Sequence, residues 1–174
     1  MTLEELRKSA TLAENGWHRF PPPFRQMSVT LEEAELLYAL VRATRPRNVL
    51  ELGTGLGVTA RFIAEALVEN GAGDLITVEP VKEFRLQARE DLADLPVHVF
   101  EVTQAVTSVG TVSVDLVYID SGYEYRADDM RTWLTNGYAG LVVVHDADRQ
   151  YPEFDLGVGA FLPTANGMWI GHGK

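Results

Sequence analysis

The sequence predicts an α/β fold in which helices cover both faces of a doubly wound, mostly parallel sheet. Short apolar runs, such as residues 49–52 and 140–146, lack polar alternation, which is typical of strands buried on both faces. Segments of helical length and periodicity separate these runs along the chain. A glycine-rich turn, GTGLG at residues 53–57, joins the first apolar run directly to a helical segment. These observations predict a ligand-binding turn at the end of the first strand.

The first part of the chain, residues 1–45, is predicted to form two helices and a connecting flap. Two threonines, Thr2 and Thr30, each precede a glutamate by three residues. This is the capping-box arrangement, which satisfies free amides at a helix start. The first helix is expected to end near Glu14, and the second before Pro46. Between them, the segment WHRFPPPFRQMS is either an ordered flap or a linker that packs its aromatic residues onto the core.

The rest of the chain, residues 46–174, is predicted to be the α/β core. We expect strands over residues 49–52, 75–79, 97–102, 115–120 and 140–146. We expect helices that end at Asn70, that run from about Val81 to Ala93, and that pass through Met130, Trp133 and Leu134. A turn at residues 165–167 is expected to join two further strands in a hairpin, placed antiparallel at one edge of the sheet. The predicted architecture is Rossmann-like.

Composition and charge limit the classes of function. With 174 residues, of which 46% are hydrophobic, the chain is expected to form a single domain, residues 1–174, around one core. It has no apolar run long enough to span a membrane and no signal-like start, so we expect a cytoplasmic protein without a membrane partner. The absence of cysteine excludes disulfides and thiolate chemistry. A formal net charge of −10 repels phosphate backbones, so we expect a small-molecule ligand rather than nucleic acid.

The glycine turn and the acids near it indicate the type of ligand. Gly53, Gly55 and Gly57 permit close approach of a ligand to the backbone, and the next helix directs its free amides towards it. A dinucleotide fingerprint has the spacing G-x-G-x-x-G, whereas this turn is G-x-G-x-G and follows Glu51. A carboxylate there suits a cationic or zwitterionic ligand, and the alternative is that Glu51 is a structural cap. Glu79, at the end of the second strand, is placed to accept hydrogen bonds from ribose hydroxyls.

The segments VLELGTGLG, ITVEP and VDLVYID, in this order, resemble the class I S-adenosylmethionine-dependent methyltransferases. The resemblance covers about residues 27–148. The segments QMSVTLEEAELLYALVRATRPRNVLELGTGLG, YIDSGYEY and GLVVVHDAD are similar to the small-molecule O-methyltransferase branch. That branch includes the catechol and caffeoyl-CoA methyltransferase relatives and the macrocin-type sugar methyltransferases.

The resemblance implies that S-adenosylmethionine lies across the glycine turn. Its methionine end would lie near Glu51 and Gly53, its ribose on Glu79, and its adenine near residues 101–104. The implied cofactor-binding residues are Glu51, Gly53, Thr54, Gly55, Gly57, Glu79, Pro80, Glu101, Gln104 and Asp120.

The resemblance also raises the question of a metal. In the metal-dependent members of this branch, an Asp ending strand four and an Asp-Asn pair ending strand five hold a divalent ion. Asp120 and Asp146 match the two aspartates, but Ala147 stands at the Asn position. Asp120 and Asp146 are therefore candidate ligands of Mg²⁺ and candidate catalytic residues. The alternative is that these aspartates contact the cofactor or the acceptor without a metal.

His145 and Tyr123 complete the set of candidate catalytic residues. His145 is either a general base, since an ordinary histidine pKa of about 6.5 suits proton abstraction near neutrality, or a structural residue. Because neighbouring side chains on a strand point to opposite faces, it stays open whether His145 and Asp146 both reach the site. Tyr123 either lines the acceptor pocket or packs against the next helix.

The leading hypothesis is methyl transfer from S-adenosylmethionine to a small hydroxylated acceptor. One alternative is an NAD-dependent or nucleotide-sugar oxidoreductase on the same fold, which the glycine spacing disfavours. Another is a cofactor-binding protein without catalytic activity. The resemblance further implies that a homodimer is common among such proteins.

Overall fold

The computed structural model describes residues 4–8, 29–102, 113–135, 140–147 and 158–172. The helices are α1 (residues 4–8), α2 (Leu31–Thr44), α3 (Val58–Asn70), α4 (Lys82–Asp91) and α5 (Tyr123–Thr135). The strands are β1 (Asn48–Leu52), β2 (Asp74–Val78), β3 (Val97–Phe100), β4 (Leu116–Ile119), β5 (Leu141–His145), β6 (Val158–Leu162) and β7 (Met168–His172). The predicted flap, the end of the first predicted helix and Gln104 lie outside the described residues.

The described strands form one sheet in the order β3-β2-β1-β4-β5-β7-β6. Strands β1 to β5 pair in parallel. Strand β7 runs antiparallel to both β5 and β6. The predicted mostly parallel sheet, with an antiparallel hairpin at one edge, is therefore confirmed.

The register of the sheet brings the ends of three strands to one place. Leu52, the last residue of β1, pairs with Ile119, the last residue of β4, and Ile119 pairs with Val144 on β5. The residues that follow these positions therefore lie side by side at the carboxyl edge. Strand β1 has β2 on one side and β4 on the other, so this edge is also the switch point where ligands bind in open α/β sheets.

The strands lack polar alternation because both faces of the sheet are covered. On β4, Leu116 and Tyr118 belong to a buried cluster with α2, α3 and α4, whereas Val117 and Ile119 belong to a second cluster with α5. Burying a side chain of this size contributes roughly 1.5–3 kcal/mol. The doubly wound arrangement predicted from the apolar runs is thus explained by these two clusters.

Helix α2 begins where the capping box predicts. The hydroxyl of Thr30 accepts a hydrogen bond from the amide of Glu33, and the Glu33 carboxylate accepts one from the amide of Thr30. The helix ends at Thr44, and its C-cap Arg45, ahead of Pro46, has a left-handed conformation with φ of +50°. The prediction for this helix is confirmed.

Within the described ranges, we find no helix with the length and apolar character needed to cross a membrane.

Candidate functional site

The glycine turn follows β1 directly and has positive φ at each of its three glycines. The φ angle is +104° at Gly53, +54° at Gly55 and +84° at Gly57. Gly53 also has no room for a side chain, since a Cβ there would lie 2.3 Å from the carbonyl oxygen of Asp120. Gly57 is the N-cap of α3, so the first free amides of that helix lie at the turn. The approach of Gly53 to Asp120 thus puts the turn in direct contact with the end of β4.

Glu51, two residues before the turn, is fully buried. Its Oε2 accepts a hydrogen bond from the hydroxyl of Thr77, which lies 2.6 Å from the hydroxyl of Thr54 in the turn. Its Oε1 has no hydrogen-bond partner in the part of the chain that the structure describes. Burial raises the pKa of Glu51 to about 8, so the carboxyl is mostly protonated at neutral pH. A buried oxygen without a partner is a group that a polar ligand would satisfy.

Glu79, after β2, is held against the glycine turn by backbone amides. Its Oε2 accepts from the amide of Gly55 and its Oε1 from the amide of Val81, each at 2.8 Å. The residue is 5% exposed, and burial raises the pKa of its carboxyl. Arg85 joins this strand end to the next one, because it donates to the Glu79 carbonyl at 2.6 Å and to the Glu101 carboxylate at 3.2 Å. Acids thus lie near the end of β1 and directly after β2 and β3, at one edge of the sheet.

A cluster at the ends of β4 and β5 consists of Asp120, His145 and Asp146, and we call it the acid cluster. The imidazole of His145 lies between two carboxylates. Nδ1 of His145 is 2.9 Å from Oδ1 of Asp120, and Nε2 is 3.3 Å from Oε2 of Glu33. Burial acts to lower the pKa of His145, but the charge of Asp120 and the hydrogen bonds to both carboxylates outweigh it and raise the pKa to about 10. At neutral pH the ring is therefore an imidazolium that donates from both nitrogens.

Glu33 does more than cap α2. Its carboxylate is fully buried and accepts hydrogen bonds from the hydroxyl of Thr164 at 2.7 Å and from the amide of Asn166 at 3.0 Å. Burial alone would raise the pKa of Glu33, but the bonds from His145 and these groups hold it well below its usual range. One carboxylate thus joins the start of α2, the end of β5 and the turn between β6 and β7.

Arg126, on α5, bridges the two aspartates of the cluster. Its Nη2 donates to Oδ1 of Asp120 at 2.9 Å, and its Nη1 donates to Oδ2 of Asp146 at 2.8 Å. Its Nε donates to the carbonyl of Ser121 at 2.8 Å, and Nη1 also donates to the carbonyl of His145 at 3.2 Å. The guanidinium is therefore bound to the ends of both strands and is almost fully buried.

The backbone of Asp146 explains how two consecutive residues reach the same site. Asp146 follows the last residue of β5 and has a left-handed conformation, with φ of +54°. Aspartate tolerates this region better than most residues because its short side chain bonds locally. The turn brings Oδ2 of Asp146 within 3.7 Å of Nδ1 of His145. Strict strand alternation does not apply here, and both side chains lie in the cluster.

The cluster contains atoms that could ligate a metal, but its donor set does not fit a divalent ion. Asp120, His145 and Asp146 each offer a ligand atom, and these atoms lie within 4.8 Å of one another. The guanidinium of Arg126 already binds an oxygen of each aspartate, and the charged imidazolium has no lone pair for a metal. Ala147 adds no ligand. A divalent cation would have to enter beside two buried positive charges.

Glu33 and Arg126 belong to the site but were not found by sequence reasoning. For Glu33 the local sequence predicts only a cap, since its other partners lie far along the chain. A usable signal existed for Arg126, because a cation in the first turns of a helix is disfavoured by the helix dipole and calls for acidic partners. Tyr123 is the first residue of α5, and the structure does not describe its side chain.

A Rossmann-like sheet with this strand order, a glycine turn after β1, an acid near the end of β1 and an acid after β2 defines the class I methyltransferase fold predicted above. A family model described as a methyltransferase domain matches residues 50–147. This match covers more than half of the chain, so the chain belongs to that methyltransferase domain family.

Curated relatives carry the name protein-L-isoaspartate O-methyltransferase. The protein from Shewanella amazonensis is 32% identical over 100 residues, which are 56% of this chain and 44% of the relative. The protein from Shewanella loihica is 41% identical over 59 residues, which are 34% of this chain and 26% of the relative. The matched part of the chain thus spans less than half the length of these relatives.

Solved structures share the fold over nearly the whole chain. A methyltransferase from Geobacter sulfurreducens has a TM-score of 0.71 at 18% identity. The alignment covers 95% of this chain and 90% of the Geobacter chain. The O-methyltransferase TomG from Streptomyces achromogenes, solved in complex with SAM, has a TM-score of 0.64 at 20% identity. The alignment covers 95% of this chain and 88% of TomG. At these identities the likeness establishes the fold.

Proposed function

We propose that the protein transfers a methyl group from S-adenosylmethionine to a small-molecule acceptor, with a hydroxyl oxygen as the nucleophile. The observation that carries this proposal is the contact between Gly53 and Asp120. A Cβ on Gly53 would lie 2.3 Å from the Asp120 carbonyl oxygen, so the glycine turn and the acid cluster adjoin. A methyl donor on the turn would therefore lie next to an acceptor at the cluster.

The cofactor side is supported by polar groups at the ends of the first three strands. The unpartnered Oε1 of Glu51 suits the ammonium of the methionine end. Each oxygen of Glu79 accepts one backbone hydrogen bond and keeps a further lone pair, which suits the ribose hydroxyls. Glu101, half-exposed after β3, is the candidate on the adenine side. The further proposed cofactor residues are Gly53, Thr54, Gly55, Gly57, Pro80, Gln104 and Asp120.

Methyl transfer mainly requires that the protein align the acceptor oxygen with the methyl group of the cofactor. The bound cofactor would supply a methyl group on a sulfonium, and in-line geometry for its displacement is worth at best about 7–11 kcal/mol. Asp120 and Asp146 keep 14% and 17% of their side-chain surface exposed, so their carboxylates are our candidates to orient the acceptor hydroxyl and take its proton. His145 holds Asp120 and, as an imidazolium, is not a free base at neutral pH. Tyr123 stays a candidate for lining the acceptor pocket.

No step of this proposal passes through Mg²⁺, because the donor set of the cluster does not fit it. The match to the curated relatives covers less than half of their length, so it does not identify the acceptor of this protein. A homodimer and a cytoplasmic location stay predictions of the sequence. Sedimentation of the purified protein would measure the first.

The experiment is isothermal calorimetry with S-adenosylhomocysteine, the demethylated cofactor, which needs no knowledge of the acceptor. We expect saturable binding, weakened by about 1.5–3 kcal/mol in Glu79→Gln because a hydrogen-bonded charged acceptor is lost. The matched control is Glu90→Gln on the exposed side of α4, which should bind like the wild type. Binding of NADH in place of S-adenosylhomocysteine would refute the proposal and favour the oxidoreductase alternative.

Single-turnover transfer of a labelled methyl group to hydroxylated acceptors then separates an enzyme from a protein that only binds the cofactor. We expect the labelled methyl group to be found on the released acceptor.

A further inference from the structure

The guanidinium of Arg126 lies between the two aspartates where the sequence predicts a divalent cation. It is 2.9 Å from Oδ1 of Asp120 and 2.8 Å from Oδ2 of Asp146. The same two oxygens face Nδ1 of His145, at 2.9 and 3.7 Å. The oxygens that converge in the cluster are therefore already bound by a cation that belongs to the chain.

The backbone fixes the guanidinium in this place. Besides its bonds to the two aspartates, Arg126 donates to the carbonyls of Ser121 and His145. A guanidinium is a planar fork, so bonds on Nε and on both terminal nitrogens fix its orientation as well as its position. The residue is 4% exposed. An ion that entered between the aspartates would have to displace a buried side chain with several hydrogen bonds.

The position of Arg126 in its helix supports a specific role. It lies three residues after Tyr123, the first residue of α5, where the helix dipole disfavours a cation. The carboxylates of Asp120 and Asp146 offset that cost. Next to them, Ala147 is buried in the apolar cluster beneath α5 and has no side-chain oxygen to offer. Both features favour a site built around a guanidinium rather than around a metal.

We propose that Arg126 takes the place of the divalent cation, so that its guanidinium holds Asp120 and Asp146 at the acceptor side and the cluster binds no metal. Arg126 is then a positioning residue. The acceptor side of this inference rests on the proposed methyltransferase function, whereas the replacement of a metal by a guanidinium does not depend on it.

The test uses Mn²⁺, a probe for carboxylate sites that suit Mg²⁺, and follows the free ion by electron paramagnetic resonance. Wild-type protein and Asp146→Asn should take up the same small amount of Mn²⁺, which reports the acidic surface alone. Uptake by the wild type that is lost in Asp146→Asn would overturn the proposal. This comparison needs no variant at position 126 and decides the question even if such a variant does not fold.

A second comparison asks whether removal of the guanidinium creates a metal site. Arg126→Met leaves two partly buried carboxylates without this cation, so we expect a saturable Mn²⁺ site that the wild type lacks and a melting temperature that rises with Mn²⁺. The double variant Arg126→Met with Asp146→Asn should lose that site, and Arg126→Lys, which keeps a cation, should not gain it. A folded Arg126→Met protein without a new Mn²⁺ site would contradict the proposal.

S-adenosylhomocysteine binding is measured on the same samples. If the wild type binds neither S-adenosylhomocysteine nor Mn²⁺ at Asp146, the proposed function fails while the inference about Arg126 stands.

Discussion

The carboxylate of Glu33 lies 3.3 Å from Nε2 of His145, although 112 residues separate them along the chain. Through this contact the cap of α2 and the acid cluster are one hydrogen-bonded unit. The hydroxyl of Thr164 and the amide of Asn166 bind the same carboxylate. Glu33 is therefore both a helix cap and the inner support of the candidate site.

Replacing Glu33 by alanine should destabilise the protein by about 3–5 kcal/mol, because it leaves Nε2 of a buried imidazolium and several other donors without their acceptor. Denaturation by urea, followed by circular dichroism, measures the change. The control is Glu32→Ala, an exposed residue in the same helical turn, for which we expect a loss of less than about 1 kcal/mol. Equal losses in the two variants would refute the role given to Glu33.

The stability of the fold should depend on the charge of His145. The pKa of His145 is raised from its ordinary value of 6.5 to about 10, so its favourable contribution is complete below pH 6.5 and is lost as the pH rises towards about 10. The free energy of unfolding, measured between pH 6 and about pH 10, should fall more steeply in the wild type than in His145→Gln. His98→Gln is the control, because His98 is exposed and lies away from the cluster. Its profile should follow the wild type.

Gly53 should tolerate no side chain. An added Cβ would meet the carbonyl oxygen of Asp120, and φ of +104° is strained for any other residue. We expect Gly53→Ala to lose stability and most of its affinity for S-adenosylhomocysteine. Gly71→Ala is the matched control, since its φ is also positive but its Cβ would meet nothing within 4 Å. Calorimetry and thermal unfolding of both variants give the comparison, and a mild Gly53→Ala phenotype equal to the control would contradict this reading of the turn.

Cofactor binding should release protons from Glu51. Burial raises the pKa of this carboxyl to about 8, so it is mostly neutral at pH 7, and an ammonium placed beside it would lower that pKa. Calorimetric titration with S-adenosylhomocysteine at neutral pH, in two buffers of different ionisation enthalpy, measures the number of protons released. We expect a buffer-dependent heat in the wild type and little dependence in Glu51→Gln. The same proton release from both proteins would exclude Glu51 as its source.

The parts of the fold that the sequence predicts are those set by local patterns. The apolar runs predicted the parallel strands, and the capping box at Thr30 predicted the start of α2. The turn at Asn166-Gly167 predicted the hairpin. The strand-end rule also placed Asp120 and Asp146 at one edge. These features depend on a few neighbouring residues and on the geometry of a parallel sheet.

The missing parts of the site depend on contacts between distant segments. No local pattern indicates that the Glu33 cap will meet a histidine and a hairpin turn. Alternation along β5 left the orientation of Asp146 open, because the left-handed residue after the strand is set by the turn and not by the strand. Arg126 carried a weak local signal, its place near a helix start, but the two aspartates that bind it come from separate strands.

The reach of the Glu33 carboxylate across the chain has a consequence for synthesis on the ribosome. Its distant donors belong to His145, Thr164 and Asn166, which are translated long after α2. Until the β6–β7 hairpin has emerged and docked, the Glu33 carboxylate of an early-folded α2 has Thr30 as its local partner but lacks the donors that the hairpin supplies. Completion of the acid cluster therefore coincides with docking of the hairpin, and a nascent chain that stops before the hairpin has a sheet without a finished site.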